Sequence, residues 1–214
     1  MIDLYTWATP NGRKVSIALE ELGLPYRVHA VNIAKGEQLS EEFARISPNQ
    51  KIPAIVDSDA GLTLMESGAI LMYLAGKAGR LLPAEPDRYW EAIQWLMWQK
   101  AAFGPMLGQA LHYLKYNRGK STYSEDRFEI ETHRLYRVLD RQLESREFIA
   151  AGEYTIVDIA CWPWTARHEY QSVDLHEYPH VLDWYMRIAE RPAVRAGWAV
   201  PVPEDVPLPP PADV

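Results

Sequence analysis

No stretch of the 214-residue chain approaches the ~18–20 consecutive apolar residues that crossing a bilayer requires. The opening residues 1–10 hold neither a basic patch nor a long apolar run, so they do not read as a secretory signal. Cysteine is nearly absent. Cys161 stands alone, which excludes an internal disulfide and any multi-cysteine metal site. These absences lead us to expect a cytoplasmic protein with no membrane partner. A basic excess is also missing: 22 Lys plus Arg face 29 Asp plus Glu, a net charge of −7, with −1 in the first 80 residues and −6 in the rest. A phosphate-backbone binder needs the opposite balance, so nucleic acid is not an expected partner. Small molecules or other proteins fit better. The chain has no G-x-S-x-G, no Walker A loop and no dinucleotide-binding glycine fingerprint.

Two features invite chemical readings and lose them on inspection. His176-Glu177-Tyr178-Pro179-His180 matches the H-E-x-x-H zinc motif. That motif needs both His on one helical face. Pro179 inside the spacer disfavours a helical Tyr178 and reads as the start of a new helix instead, so no metal is expected. Cys161 sits in the apolar run Ile156 to Trp164, beside Trp162, where a buried thiol is inert packing rather than a nucleophile.

What is abundant is aromatic surface, with eight Trp and twelve Tyr, enough for a large core or an interface. The first 79 residues read as a small α/β domain. Ile2 to Tyr5 suggests a strand, and Val15, Ala18, Leu19 and Leu22 recur with helical spacing up to a capping Gly23. Tyr26, Val28 and Ala30 alternate as a second strand, which makes a parallel β-α-β opening. A polar loop and a short helix at Glu41 to Arg45 follow. Ala54 to Asp57 and Leu62 to Leu64 then read as an antiparallel hairpin, and Ile70, Leu71, Leu74 and Ala78 as a closing helix. This βαβ(α)ββα order is thioredoxin-like. Residues 80–87 hold two prolines and no periodicity, so they read as a linker. Residues 88–200 read as an all-α bundle. Its elements are a long helix from Tyr89 to about Asn117 bent at Gly104-Pro105, a neighbour from Asp126 to Glu144, a helix capped by Thr155 to Asp158, and one from Pro179 to Glu190. Residues 201–214 contain six prolines and suggest an extended or disordered arm.

Ser67, after Glu66, opens the closing helix of the first domain. It could be a simple N-cap, or a hydroxyl at a helix start that holds a carboxylate.

The chain apart from the proline tail resembles the cytosolic glutathione transferases, and within them the bacterial Nu class of glutathione-dependent disulfide-bond oxidoreductases. The resemblance is carried by Thr9-Pro10-Asn11-Gly12, Asn49 to Ala54, Glu66 to Ile70, Gly104 to Gln109, and Ile159 to Trp164. It implies a homodimer of two-domain subunits, with glutathione as co-substrate on the thioredoxin-like domain and no metal. By matching motifs, it implies Thr9 and Asn11 at the glutathione sulfur and Gln38 at the glycyl end. Ile52 would pair main chain to main chain with the cysteinyl unit, between Lys51 and a cis Pro53. Glu66 and Ser67 would hold the γ-glutamyl end, and Arg127 would add a charged contact. Neither a Thr hydroxyl nor an Asn amide is a base, but both donate to sulfur. The protein would therefore polarise and orient while glutathione attacks. Three functions stay open on the sequence: a glutathione-dependent disulfide reductase, a transferase or peroxidase for small electrophiles or hydroperoxides, and a non-catalytic interaction protein on the same fold.

Overall fold

A computed structural model describes residues 1–210. Along the chain run β1 (Ile2–Thr6), α1 (Pro10–Leu22), β2 (Tyr26–Ala30), α2 (Glu41–Ile46), β3 (Ala54–Asp57), β4 (Leu62–Met65), α3 (Ser67–Ala78), α4 (Pro86–Trp98), α5 (Gly104–Ala110), α6 (Thr122–Leu143), α7 (Ile156–Thr165), α8 (Pro179–Ala189) and α9 (Pro192–Trp198). They form two compact units. One is Met1–Leu82 with Glu190–Val206, and the other is Pro83–Ala189 with the described residues 207–210.

In the first unit a four-stranded sheet has the order β2-β1-β3-β4. β1 and β2 are parallel, and the other two pairs are antiparallel. The alternation of β1 sets its two faces: Ile2, Leu4 and Thr6 are buried, while Asp3 and Tyr5 are half-buried. Val15, Ala18, Leu19 and Leu22 of α1 and Ile70, Leu71 and Leu74 of α3 are buried, as their spacing requires. α1 ends at Gly23 in the left-handed region, φ 66°, where a glycine carries no Cβ penalty. A small second core joins Val31, Phe43 and Ala54, with Tyr5, Ile46 and Ile52 against it.

The division into units differs from the sequence expectation at the C-terminal end. Residues 190–206 were expected in the helical domain and its tail but pack in the first unit. Ser16 Oγ donates to the Gly197 carbonyl at 2.6 Å, and a Cβ on Gly197 would lie 2.5 Å from the Ile17 backbone. Periodicity shows that a helix has an apolar face; it does not say which neighbour covers it. The expected proline arm spans described residues 201–210, and its last four positions lie outside the described residues.

In the second unit the expected long helix is α4 and α5 joined by a π-type widening at Gln99–Phe103, with a second at Leu111–Tyr116. Pro105 has no N–H and crowds the carbonyl four residues back, and the wider turn relieves both faults. Gly104 N–H accordingly reaches back five residues to the Gln99 carbonyl. Gly104 and Gly108 let α5 lie against Trp164, since a Cβ on either would sit 3.2 Å from that indole. α6 starts four residues earlier than the apolar pattern suggested, because Ser121 caps it by accepting from Ser124 N–H at 3.3 Å. α7 carries the expected capping box between Thr155 and Asp158. Asp158 Oδ1 also accepts from Ile149 N–H and Trp184 Nε1, at 3.0 and 2.9 Å. Cys161 is fully buried in α7. His176 lies in a 3₁₀ turn bonded to Asp174, and His180 in the first turn of α8, so the two do not share a helix.

Candidate active site

Strand register brings four loops of the first unit to one end of the sheet. Tyr5 pairs with Ala54, and Ala54 with Met65. The segments after β1, before β3 and after β4 therefore emerge side by side. β2 runs parallel to β1, with Ala30 opposite Thr6, so the segment after β2 leaves at this end too. Thr9 and Asn11 lie on the first of these segments, and Gln38 on the one after β2. Lys51, Ile52 and Pro53 lead into β3, and Glu66 and Ser67 follow β4.

Thr9 is the N-cap of α1, extended at φ −120° and ψ 160°. Its hydroxyl accepts from Gly12 N–H at 3.2 Å, and its carbonyl accepts from Arg13 N–H at 3.0 Å. Capping uses a lone pair and leaves the hydroxyl proton, so the same oxygen can donate to an acceptor beyond the helix end. Pro10 follows with its φ already set for the first helical position. Gly12 is needed for close approach: a Cβ would stand 2.2 Å from the Trp7 carbonyl oxygen and 2.5 Å from Thr6 Oγ1. Asn11, between them, is half-buried in the first turn.

The start of α3 is strained at Glu66. Glu66 holds φ 71° and ψ 112°, a region unfavourable to a residue with a Cβ, at a cost of ~1–3 kcal/mol. Its carbonyl accepts from Ile70 N–H at 2.9 Å. Ser67 is buried as the first helical residue, in the turn whose N–H groups lack intrahelical acceptors. Such a turn, with its partial positive charge, suits a carboxylate.

Gln38 is half-buried in the turn Glu37–Leu39, and its Oε1 is buried with no hydrogen-bond partner among the described residues. A buried acceptor left so costs ~1–3 kcal/mol. The Ile52–Pro53 bond is cis, as the resemblance implies. Lys51 is exposed. Arg127 belongs to the second unit, where it is exposed on α6 and lines a cavity of about 530 Å³ with Met106, Tyr123 and Phe128.

Residues that the sequence did not single out support this end of the sheet. Ser47 is buried and donates to the Lys51 carbonyl at 2.9 Å, and Gln50, at φ 52°, donates through Nε2 to the Leu39 carbonyl at 3.3 Å. Together they fix the backbone that leads into Ile52. Arg13 and Lys14 are buried on α1. Two consecutive bases directly after Thr-Pro-Asn-Gly were visible, but the acidic partner of Arg13 is remote in sequence. Among the described residues no group of three or more His, Cys, Asp or Glu could hold a metal ion, and no helix is long and apolar enough to cross a membrane.

The family model for the glutathione S-transferase N-terminal domain matches residues 1–76, and that for the C-terminal domain matches residues 99–192. The chain belongs to the glutathione S-transferase family. Among its relatives in this family, disulfide-bond oxidoreductase YfcG of Escherichia coli (strain K12) is 48% identical over 198 residues, covering 90% of this chain and 92% of that one. A glutathione transferase of Pseudomonas putida, solved with one glutathione disulfide per subunit, superposes with a TM-score of 0.89 at 42% identity over 94% of this chain and 91% of that one. A Burkholderia graminis glutathione transferase, solved with two glutathione molecules per subunit, gives a TM-score of 0.89 at 41% identity, with 94% and 88% covered.

Proposed function

We propose that this glutathione S-transferase family member is a glutathione-dependent disulfide-bond reductase in which bound glutathione supplies the attacking thiolate. The observation that carries the reading is the Thr9 hydroxyl, which caps α1 and keeps a proton to donate. It lies on the same end of the sheet as the start of α3 and the unpartnered Gln38 oxygen. In this reading Thr9 and Asn11 donate to the glutathione sulfur. Ile52 pairs by its main chain with the cysteinyl unit, flanked by Lys51 and Pro53. Gln38 meets the glycyl end, Glu66 and Ser67 take the γ-glutamyl end, and Arg127 adds a charged contact.

A thiol with an ordinary pKa of ~8.5 is only a few per cent ionised at pH 7. One donor to the thiolate contributes ~1.5–3 kcal/mol, which lowers that pKa by ~1–2 units. The thiolate attacks one sulfur of a disulfide; a new S–S bond forms, the old one breaks, and the other sulfur leaves as a thiolate. A second glutathione attacks the mixed disulfide at the glutathione sulfur, giving glutathione disulfide and a second substrate thiol. No thiol of the protein takes part, in keeping with the burial of Cys161. The name of YfcG and the one or two glutathione units in the Pseudomonas and Burkholderia structures support this reading. The naming of the last two as transferases favours a second reading, transfer to small electrophiles by the same thiolate.

We further infer a homodimer. Trp90 and Met97 on α4 and Tyr123 and Ile130 on α6 are large apolar side chains left exposed, which suits an interface between copies. A cytoplasmic location follows from chemistry that draws on reduced glutathione. The deciding experiment compares turnover of a small disulfide with that of a chloro-nitro-aromatic, for the wild type and for Thr9→Ala with Asn11→Ala. Faster disulfide turnover that collapses in the double variant is expected. Turnover retained by the double variant overturns the site, and preference for the aromatic overturns the reaction. A stable monomer in sedimentation at micromolar concentration overturns the dimer.

A further inference from the structure

Arg13 carries its charge on a side chain with no exposure. It is two residues beyond Asn11, and its N–H makes the helical bond to the Thr9 carbonyl at 3.0 Å. The guanidinium carbon lies 3.6 Å from the centre of the Trp198 ring on α9, and Nη2 donates to the Glu204 carboxylate. Trp198 Nε1 donates to the Asp205 carbonyl at 3.0 Å. The segment after α9 is thus tied back by the same indole that stacks on the guanidinium. Lys14, also buried, follows Arg13 on α1.

We propose that residues 198–205 are a strap that holds the first turn of α1 through Arg13, which makes Arg13 a positioning residue for Thr9 and Asn11. The proposal rests on the reading of Thr9 and Asn11 given above. Its physical basis is the cost of a buried charge. A guanidinium away from water is tolerated when held by partners, and removing the charge of Glu204, whose side chain is 41% exposed, leaves the stacking on Trp198 to hold it less firmly. The Arg13 backbone is bonded to Thr9, so its displacement moves the Thr9 carbonyl and the hydroxyl that caps Gly12. A displacement on the order of 1 Å at a reacting group costs up to ~100-fold in rate.

The test compares Glu204→Gln, Glu204→Asp and Thr9→Ala as full-length proteins. For each, kcat, KM for glutathione and the thiolate absorbance of bound glutathione against pH are measured. Glu204→Gln is expected to lower kcat on the order of tenfold and shift the thiolate titration to higher pH, with KM within about twofold. Glu204→Asp keeps the charge and is expected to restore most of both. A Glu204→Gln protein with wild-type kcat and titration overturns the strap, even if it melts earlier, because the pair then only stabilises the fold. Equal loss in Glu204→Asp also overturns it. An unchanged titration in Thr9→Ala overturns the site assignment and the strap together. A shifted titration in Thr9→Ala beside an unshifted one in Glu204→Gln overturns the strap alone.

Discussion

Thr9 caps α1 and, in the function proposed above, also donates to the glutathione thiolate; substitution separates the two tasks. As N-cap it accepts from Gly12 N–H at 3.2 Å. Losing a Thr cap costs ~1 kcal/mol, within a range of ~0.5–2. In a chain of this size that lowers the melting temperature by ~2–4 °C. As donor to the thiolate, its loss removes ~1.5–3 kcal/mol from the ionised form. The sign follows directly. A hydrogen bond to the thiolate lowers its pKa, so removing it raises the pKa, by ~1–2 units. Near pH 7 the ionised fraction, and turnover with it, then falls ~8–25-fold and partly recovers in alkali. Thr9→Val keeps the shape and loses both tasks, whereas Thr9→Ser keeps both. The assays are thermal unfolding without glutathione and thiolate absorbance of bound glutathione against pH. A Thr9→Val protein that melts lower but binds glutathione with an unshifted titration would refute the donor role and leave Thr9 a cap.

Ser67→Ala is expected to weaken glutathione binding by ~1–3 kcal/mol through an unpaired carboxylate, read by calorimetry; unchanged affinity would make Ser67 only a helix-start residue. Cys161→Ala is expected to lose ~1 kcal/mol of packing while keeping disulfide turnover within about twofold, and a folded but inactive variant would contradict the glutathione nucleophile. Asp57 is buried, and the hydrogen bonds from Lys77 and then Tyr73 hold its carboxyl down at about 2. This lowered pKa contributes stability that is complete above the ordinary carboxylate value near 3.8 and is lost as pH falls through about 2. Urea midpoints measured across that window should fall less steeply in Lys77→Met than in the wild type, and parallel slopes would refute the pairing.

Local rules carried much of this protein. The alternation in β1, the apolar spacing of α1 and α3, the glycines that end them, and the Thr155–Asp158 box each depend on residues close in the chain, so a single sequence displays them. Thr9 as a cap and Ser67 as a helix start were legible because both are local chemistry, and the family motifs name Thr9, Asn11, Glu66 and Ser67 as candidates. Tertiary structure alone decided what depends on contacts between distant segments. The pairing of Tyr5 with Ala54, and of Ala54 with Met65, put those candidate residues at one end of the sheet. α9 went to the first unit because Gly197 fits against Ile17, and Arg13 met Glu204 across the length of the chain. An apolar stripe or a buried charge states that a partner is needed. Which partner answers is fixed by packing, and packing is written in no stretch of sequence short enough to read by period.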